Sequence, residues 1–270
     1  NRTVKINSDD CSQTSLSKIV KISWITPQML LMFHSNMNEK RRFIDRLVNY
    51  IDPSHVSNIY KYEKFSRERS KIINNFNSED LWIETVEKKI ADLALLIIKK
   101  RNQLILELNK IHYQQLSNST NNLVYPSLEL SIEGEIEDLY AKIGEIEAKK
   151  SLFLFLKKNR NNNISSFPGP HNSSVIVLNK KNKKEITFCS TGEQKIMLIS
   201  LVLSHSRLLD IFYNFPPILL LDDIIEHLDY SHKKSLFEET AKHKSQCWFT
   251  TTDINYFNEY PKPFNEISME

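Results

Sequence analysis

The sequence predicts an α/β protein in which a lobe built on a mixed or parallel sheet carries an inserted, mainly α-helical lobe. Three observations predict it. Pro216 and Pro217 stop whatever precedes them, Ile218, Leu219, Leu220 and Leu221 follow without alternation, and Asp222 and Asp223 close the run. That pattern describes a strand buried on both faces, as in a parallel sheet covered by helices. Residues 193–212 are apolar nearly all round (Ile196, Met197, Leu198, Ile199, Leu201, Val202, Leu203, Leu208, Leu209), which describes a buried helix. Earlier, Leu81, Val86, Ile90, Leu93, Ile97, Leu104, Leu108 and Ile111 recur at threes, fours and sevens, the mark of a long amphipathic helix.

In chain order, residues 1–25 form a short strand region with Val4, Ile6, Val20 and Ile22 in a polar setting. Helices are expected over 42–50, 57–74 and from 78 to about 115. The last could support a coiled-coil arm, but with two shorter helices beside it a compact bundle is expected. A polar loop at 117–122, a short strand at 128–132 and a helix at 135–159 follow. Residues 161–170 then lead back into the sheet lobe. Val175 to Leu178 and Glu185 to Phe188 flank Lys180, Lys181, Lys183 and Lys184, which reads as a hairpin with a basic tip. The expected division is 1–37 for the end of a sheet-lobe segment, 38–165 for the helical lobe and 166–270 for the rest of the sheet lobe.

The chain has 270 residues, 40% hydrophobic and 26% charged, enough to build a core and to cover it. Apolar stretches such as 93–98 are too short to span a bilayer, and the first residues do not look like a signal peptide. Cys11, Cys189 and Cys247 are widely spaced, with no Cys-x-x-Cys, so neither a disulfide framework nor a zinc site is indicated. A net charge of +3 permits nucleic-acid binding without demanding it.

The chemistry concentrates near the C-terminus. Helix-covered parallel sheets bind ligands at the carboxyl ends of their strands, where Asp222 and Asp223 emerge. One carboxylate there can hold the Mg²⁺ of a nucleotide and the other can orient or deprotonate water; the plain alternative is a polar turn with Asp223 capping the next helix. Ser190, Thr191, Gly192 and Glu193 read as a helix start, a hydroxyl cap followed by a glycine that allows close backbone approach. Its free amides and dipole make an anion site; the plain alternative is an ordinary capped helix.

In this order, with one buried helix between them, the segment Cys189 to Lys195 and the segment Ile218 to Asp223 resemble the signature and Walker B elements of ATP-binding-cassette ATPases of the SMC and RecF type. Leu228-Asp229 sits where those proteins place the D-loop, and Gln246 to Thr252 looks like the next strand with a polar switch position, assigned to Thr251. Trp24 to Pro27, Lys40 to Asp45, Tyr62 to Arg69 and Gly169 to Ser173 look like successive landmarks of the RecF family of recombination mediators. The resemblance spans almost the whole chain. Asn172 stands where the family has arginine, and Glu226-His227 where it has Ser-Glu.

The resemblance implies an ABC-ATPase-like head lobe and a homodimer that closes on ATP. Ser190, Thr191, Gly192, Glu193, Gln194 and Lys195 would face the nucleotide of the other protomer, Asp222 would hold Mg²⁺ and Asp223 would act as general base. Asp223 stands where many relatives carry glutamate, which suits slow hydrolysis. It also implies a cytoplasmic protein of recombinational repair and replication-fork maintenance that binds duplex DNA near single-strand gaps, with RecO- and RecR-type mediators as partners. Lys40, Arg41 and Arg42, which coincide with a family landmark, and the lysines of the basic tip are the candidate DNA contacts; solvated charge is the plain alternative for each. None of Gly134, Gly144, Gly169 and Gly192 belongs to a Gly-x-x-x-x-Gly-Lys-Ser/Thr loop. The expectation is therefore a chain shortened at its N-terminus and inactive alone. Two other readings stay open: an ATP-independent DNA or protein adaptor, and an unrelated Mg²⁺-dependent phosphohydrolase.

Overall fold

The computed structural model describes residues 4–11, 19–30, 37–74, 80–117, 125–160, 167–226 and 228–268. The expected start of the long helix at 78, most of the loop at 117–122, the first part of the 161–170 segment, and His227 lie outside them. The chain divides into two compact units. One comprises residues 1–34, 108–129 and 177–270, and the other 35–107 and 130–176. Residues 108–129, read from the sequence as part of the helical lobe, thus group with the sheet unit. Ser200 Oγ, on a helix of that unit, donates to the Pro126 carbonyl at 2.8 Å.

In the sheet unit, β1 (Val4–Ile6) and β2 (Asp9–Cys11) form an antiparallel hairpin. Asn7 and Ser8 turn it with φ of 52° and 76°, a left-handed turn that matches the twist of the strands. The main sheet is parallel, with β6 (Ile218–Asp222) between β3 (Ile22–Ile25) and β7 (Cys247–Thr250). Register places Trp24, Leu220 and Trp248 in one row, and Ile25, Leu221 and Phe249 in the next. Ile25, Leu219 and Leu221 are fully buried, whereas Leu220 is 37% and Trp248 49% exposed. The expectation that β6 is covered on both faces therefore holds for only one face among the described residues. The covered face meets Phe237 and Phe257, whose rings lie 6.1 and 5.2 Å from that of Phe249.

The apolar helix, α5 (Thr191–Tyr213), is buried over most of its length, including Ser200, Ser204 and His205. By length and composition alone it could cross a membrane, unlike the shorter stretches such as 93–98, but 67% of its apolar window lies inside the fold, as in a core helix. Asn214, left-handed at φ 51°, ends it, and Pro216 and Pro217 prevent its resumption. The last helix of this unit is α6 (Tyr230–Lys242). β4 (Leu128–Glu133) pairs with β5 (Ser174–Asn179). Only the bridge Leu178–Glu185 continues the expected hairpin beyond the lysine tip. Ile186–Phe188 is a 3₁₀ turn, not a strand. Its bonds from Phe188 and Cys189 back to Glu185 and Ile186 bring the chain round to the cap of α5.

The helical unit contains α1 (Met37–Ile51), α2 (His55–Asn74), α4 (Glu135–Lys158) and most of α3 (Asp80–Ser117). Ile90, Ala91, Ala94, Leu95, Ile97 and Ile98 of α3 are almost inaccessible and pack with Tyr62, Ile72, Ala148, Leu152 and Leu156. That is a compact bundle. Lys99–Glu145 at 2.7 Å and Lys157–Glu84 at 3.3 Å pair α3 with α4 along an antiparallel register, although such exposed pairs add little stability. Gly144 interrupts α4 at φ 79°, a conformation that glycine adopts without strain.

Three of the sequence landmarks meet inside this unit. Arg101 holds Asp45 through two bonds of 2.8 Å and the Pro170 carbonyl through one of 2.6 Å. Asp45 also bonds His55 at 2.8 Å, and Arg41 Nη1 donates to the Ser173 carbonyl at 2.6 Å. Tyr62 and His171 Nδ1 are bonded at 2.6 Å, with the Phe167 and His171 rings 5.2 Å apart. A Cβ on Gly169 would collide with the Tyr62 hydroxyl. Gly169→Ala is therefore expected to cost about 1–3 kcal/mol by overpacking, read as a lower urea midpoint with an unchanged slope.

Candidate nucleotide and DNA site

Ser190 is the N-cap of α5. Its hydroxyl accepts from the Glu193 amide at 3.3 Å while its own amide donates to Glu193 Oε2 at 2.8 Å, a reciprocal capping box. The amide of Ser190, the hydrogen bonds from Lys184 and the Ser190 hydroxyl hold the Glu193 carboxyl below its ordinary range. Thr191 and Gly192 are exposed, and a Cβ on Gly192 would meet nothing within 4 Å. Gly192 is thus not required by packing among the described residues. Gln194, in contrast, is buried and donates to the carbonyls of Ile186 at 2.9 Å and Cys189 at 3.2 Å, so it locks the loop that precedes the cap.

Lys195, also buried, donates to the Glu226 carbonyl. Burial lowers its pKa against the opposing pull of Asp223 and Glu226. It ties the first turns of α5 to the loop after β6, where the carboxylates gather. Asp222 Oδ1 accepts from Thr250 Oγ1 at 2.6 Å, and Thr250 Oγ1 accepts from the Asp223 amide at 2.9 Å. Asp223 turns in the left-handed region at φ 50°. Its pKa is raised by burial, by the charge of Glu226, by a hydrogen bond to Glu226 and by Asp222, with Lys195 acting the other way. Its Oδ1 is buried without a hydrogen-bond partner among the described residues.

Asp223 does not cap the following helix. That role belongs to Asp229, which accepts from the His232 amide at 2.9 Å, from Ser231 at 2.8 Å and from the His232 ring at 2.7 Å. The amide of His232, then Ser231 and the His232 ring, hold the Asp229 carboxyl down at about 2. Thr251, the expected switch residue, closes a local turn with Asp253, donating to its carbonyl and accepting from its amide, each at 3.2 Å. Its neighbours reach the acidic cluster instead: Thr250 as above, and Thr252 through a 2.6 Å bond to Glu226. Sequence reading missed Thr250, Thr252 and Glu226 as site residues. Strand alternation puts Thr250 and Thr252 on the side opposite Thr251, but the register that sets Thr250 beside Asp222 is not written in the sequence.

Among the described residues no group of three or more His, Cys, Asp or Glu is arranged to hold a metal on its own. Two adjacent carboxylates, one with an unpartnered oxygen, nevertheless suit Mg²⁺, which is held through one or two carboxylates together with phosphate and water.

The basic candidates separate. Lys40 is buried, and Arg41 is pinned to Ser173, so both belong to the packing of the helical unit. Arg42 is exposed and pairs only loosely with Glu39 at 3.1 Å. At the tip, Lys184 pairs with Glu193 at 3.2 Å and Lys183 with Glu129, Lys180 lies over the Tyr113 ring at 4.9 Å, and Lys181 is exposed.

No family model matches the chain. The DNA replication and repair protein RecF of Rickettsia bellii is 32% identical over 263 residues, covering 96% of this chain and 71% of that protein. The chain belongs to the RecF family. RecF of Rickettsia conorii is 31% identical over 267 residues, again covering 96% and 71%. Among solved structures, the recombination mediator RecF with ATP in the RecFOR pathway superposes with a TM-score of 0.75 at 20% identity, covering 97% of this chain and 70% of that one. The same mediator with an ATP analogue gives 0.73 at 20% identity, covering 94% and 69%. The fold is thus the RecF fold, an ABC-ATPase-like head with a helical lobe.

Proposed function

We propose that this RecF-family chain supplies the signature and Walker B halves of an ATP-gated homodimer that binds duplex DNA near single-strand gaps, with RecO- and RecR-type proteins as its mediator partners. The observation that carries the reading is the start of α5, where exposed residues surround a glycine that no packing among the described residues requires. Such a helix end suits a phosphate that arrives from outside. The Ser190 hydroxyl and the Gly192 amide bind the phosphate of the other protomer's nucleotide, and Glu193 holds the turn in shape from behind. The names of the solved relatives, RecF with ATP and with an ATP analogue, support ATP as the guest.

Asp222, steadied by Thr250, is the residue that holds Mg²⁺, with the free oxygen of Asp223 beside it. When bound, the metal neutralises charge on the phosphates and fixes their orientation. Asp223 takes the proton of the attacking water; a pKa raised by burial and by Glu226 makes it a better base than an ordinary carboxylate. Lys195 anchors the Glu226 loop to α5, and so holds Asp223 in place relative to the helix that senses the partner's nucleotide. Arg42 and the lysine tip contact the DNA backbone, which makes binding independent of sequence and sensitive to salt.

Asp222→Ala is expected to lower ATP turnover of the assembled protein by tenfold or more, while the thermal unfolding midpoint stays within 2–3 °C of wild type, since Asp222 is exposed. Coupled phosphate release and light scattering with and without ATP check it. Turnover and self-association unaffected by the change, with DNA binding indifferent to ATP, would favour the adaptor instead.

A further inference from the structure

The lysine tip is built against an exposed aromatic ring, and backbone bonds hold the two together. The amide of Lys180 donates to the Ser127 carbonyl at 2.9 Å, and the Ser127 hydroxyl donates to the His112 carbonyl at 2.9 Å, one residue before Tyr113. Ser127 is buried, so this two-step tie is shielded from water. On the lysine side, the tip turns on itself through Lys183 N to Asn179 O at 2.8 Å and Asn179 N to Lys184 O at 2.9 Å, with Lys183 left-handed at φ 57°. The result is a fixed juxtaposition. The Lys180 ammonium sits 4.9 Å from the centre of the Tyr113 ring, Lys181 extends from the same turn, and Lys110 lies one helical turn before Tyr113, exposed on α3.

Tyr113 is 64% exposed. Lys180 lies over the ring, Lys181 and Lys110 add positive charge, and the carboxylate acting on Lys180 from beside the tip, Glu129, is paired with Lys183. An exposed ring amid lysines fits the chemistry of an unpaired base. The lysines attract the phosphate backbone and the ring offers a π-face for stacking, whereas a base within a duplex is already stacked on its neighbours and has no face to give.

We propose that Tyr113, with Lys180, Lys181 and Lys110 around it, is a base-stacking platform that makes this surface prefer single-stranded over duplex nucleic acid. The proposal deepens the DNA-binding reading above and rests on it. That reading supplies phosphate contacts alone, which do not distinguish the two forms except through charge density; Tyr113 adds the distinction. At a boundary between duplex and gap, the lysines engage backbone on both sides and the ring captures the first unpaired base.

The test measures fluorescence anisotropy of a labelled oligothymidine of about 16 nucleotides, a length in the range that a single stacking site occupies, and of a duplex of equal length. Wild type, Tyr113→Ala, Tyr113→Phe and the double variant Lys180→Ala/Lys181→Ala are compared at two salt concentrations. Tyr113→Ala is expected to weaken single-strand binding about tenfold or more while leaving duplex binding within about twofold, with the salt slope unchanged. Tyr113→Phe keeps the π-face and should bind like wild type. The double lysine variant should weaken both and flatten the salt slope. Equal loss on both forms with Tyr113→Ala, or no loss on either, overturns the platform and leaves the phosphate-contact reading standing. Binding by wild type to neither form overturns both. Circular dichroism of each variant guards against misfolding; if Tyr113→Ala fails to fold, Tyr113→Leu, which keeps bulk but has no π-face, is expected to lose single-strand binding as Tyr113→Ala would, and its retention overturns the platform.

Discussion

Replacing Asp45 by alanine should destabilise the helical unit by about 3–5 kcal/mol, the cost of leaving one member of a buried ion pair without its partner. Arg101 is 4% exposed and its Nε and Nη2 are both spent on Asp45. Without the carboxylate, the Pro170 carbonyl at 2.6 Å and the Ser173 hydroxyl at 3.3 Å are what remain among the described residues to solvate the guanidinium in a site that water barely reaches. His55, itself 1% exposed, loses its 2.8 Å bond to the same carboxylate. The urea midpoint followed by circular dichroism reads the change, and a loss below 1 kcal/mol would mean that water enters the site and screens Arg101. The same carboxyl sets an acid limit. Burial pushes its pKa up, but the hydrogen bonds from His55 and Arg101 and the guanidinium charge more than offset this, so it lies below the ordinary value. A depressed folded value means that its stabilisation is present above the unfolded pKa of about 3.9 and is lost as pH falls through the folded pKa. Below about pH 4 the wild type should therefore lose stability more steeply than Asp45→Ala.

That network also explains what the sequence made legible and what it concealed. Periodicity located the long helix and its apolar stripe, because every third or fourth residue of α3 had to face a core. The capping residues before α5 and the prolines before β6 marked those elements because cap and breaker chemistry is local. The charged landmarks were different. Lys40, Arg41 and Arg42 look alike in sequence, yet one is buried, one is pinned to a backbone carbonyl and one is exposed. Which is which depends on how the helix faces residues more than a hundred positions away, and no local pattern records it. The hairpin arm at Glu185 to Phe188 has the alternation of a strand, but the need to reach the cap at Ser190 wins and the chain coils into a 3₁₀ turn. Thr250 was missed for a related reason: three consecutive threonines give no hint of which one faces Asp222 until the parallel register is fixed.

Gly192→Asp should separate folding from function, because the two respond to the same charge with opposite sign. Gly192 stands in the first turn of α5, exposed, with open space where a Cβ would go. Glycine is a poor helix residue, and an acid in the first turn is favoured by the helix dipole, so the substitution should leave stability unchanged or raise it by about 0.3–1 kcal/mol. The anion site behaves the other way. A carboxylate fixed beside the free amides occupies the dipole's positive end and repels an incoming phosphate. Each lost hydrogen bond to a charged group is worth about 1.5–3 kcal/mol, so ATP-dependent self-association should weaken by about tenfold or more at each site. Gly192→Ala, which adds bulk without charge, should fall between. Thermal unfolding and light scattering with ATP, run on the same samples, measure both signs at once. If Gly192→Asp associates with ATP as wild type does, the start of α5 does not receive phosphate, and the exposed glycine has no part in gating. If it unfolds the protein, the space beside Gly192 is filled, and the turn is a packing site. Only loss of association with stability intact fits a helix end kept bare for another protomer's nucleotide.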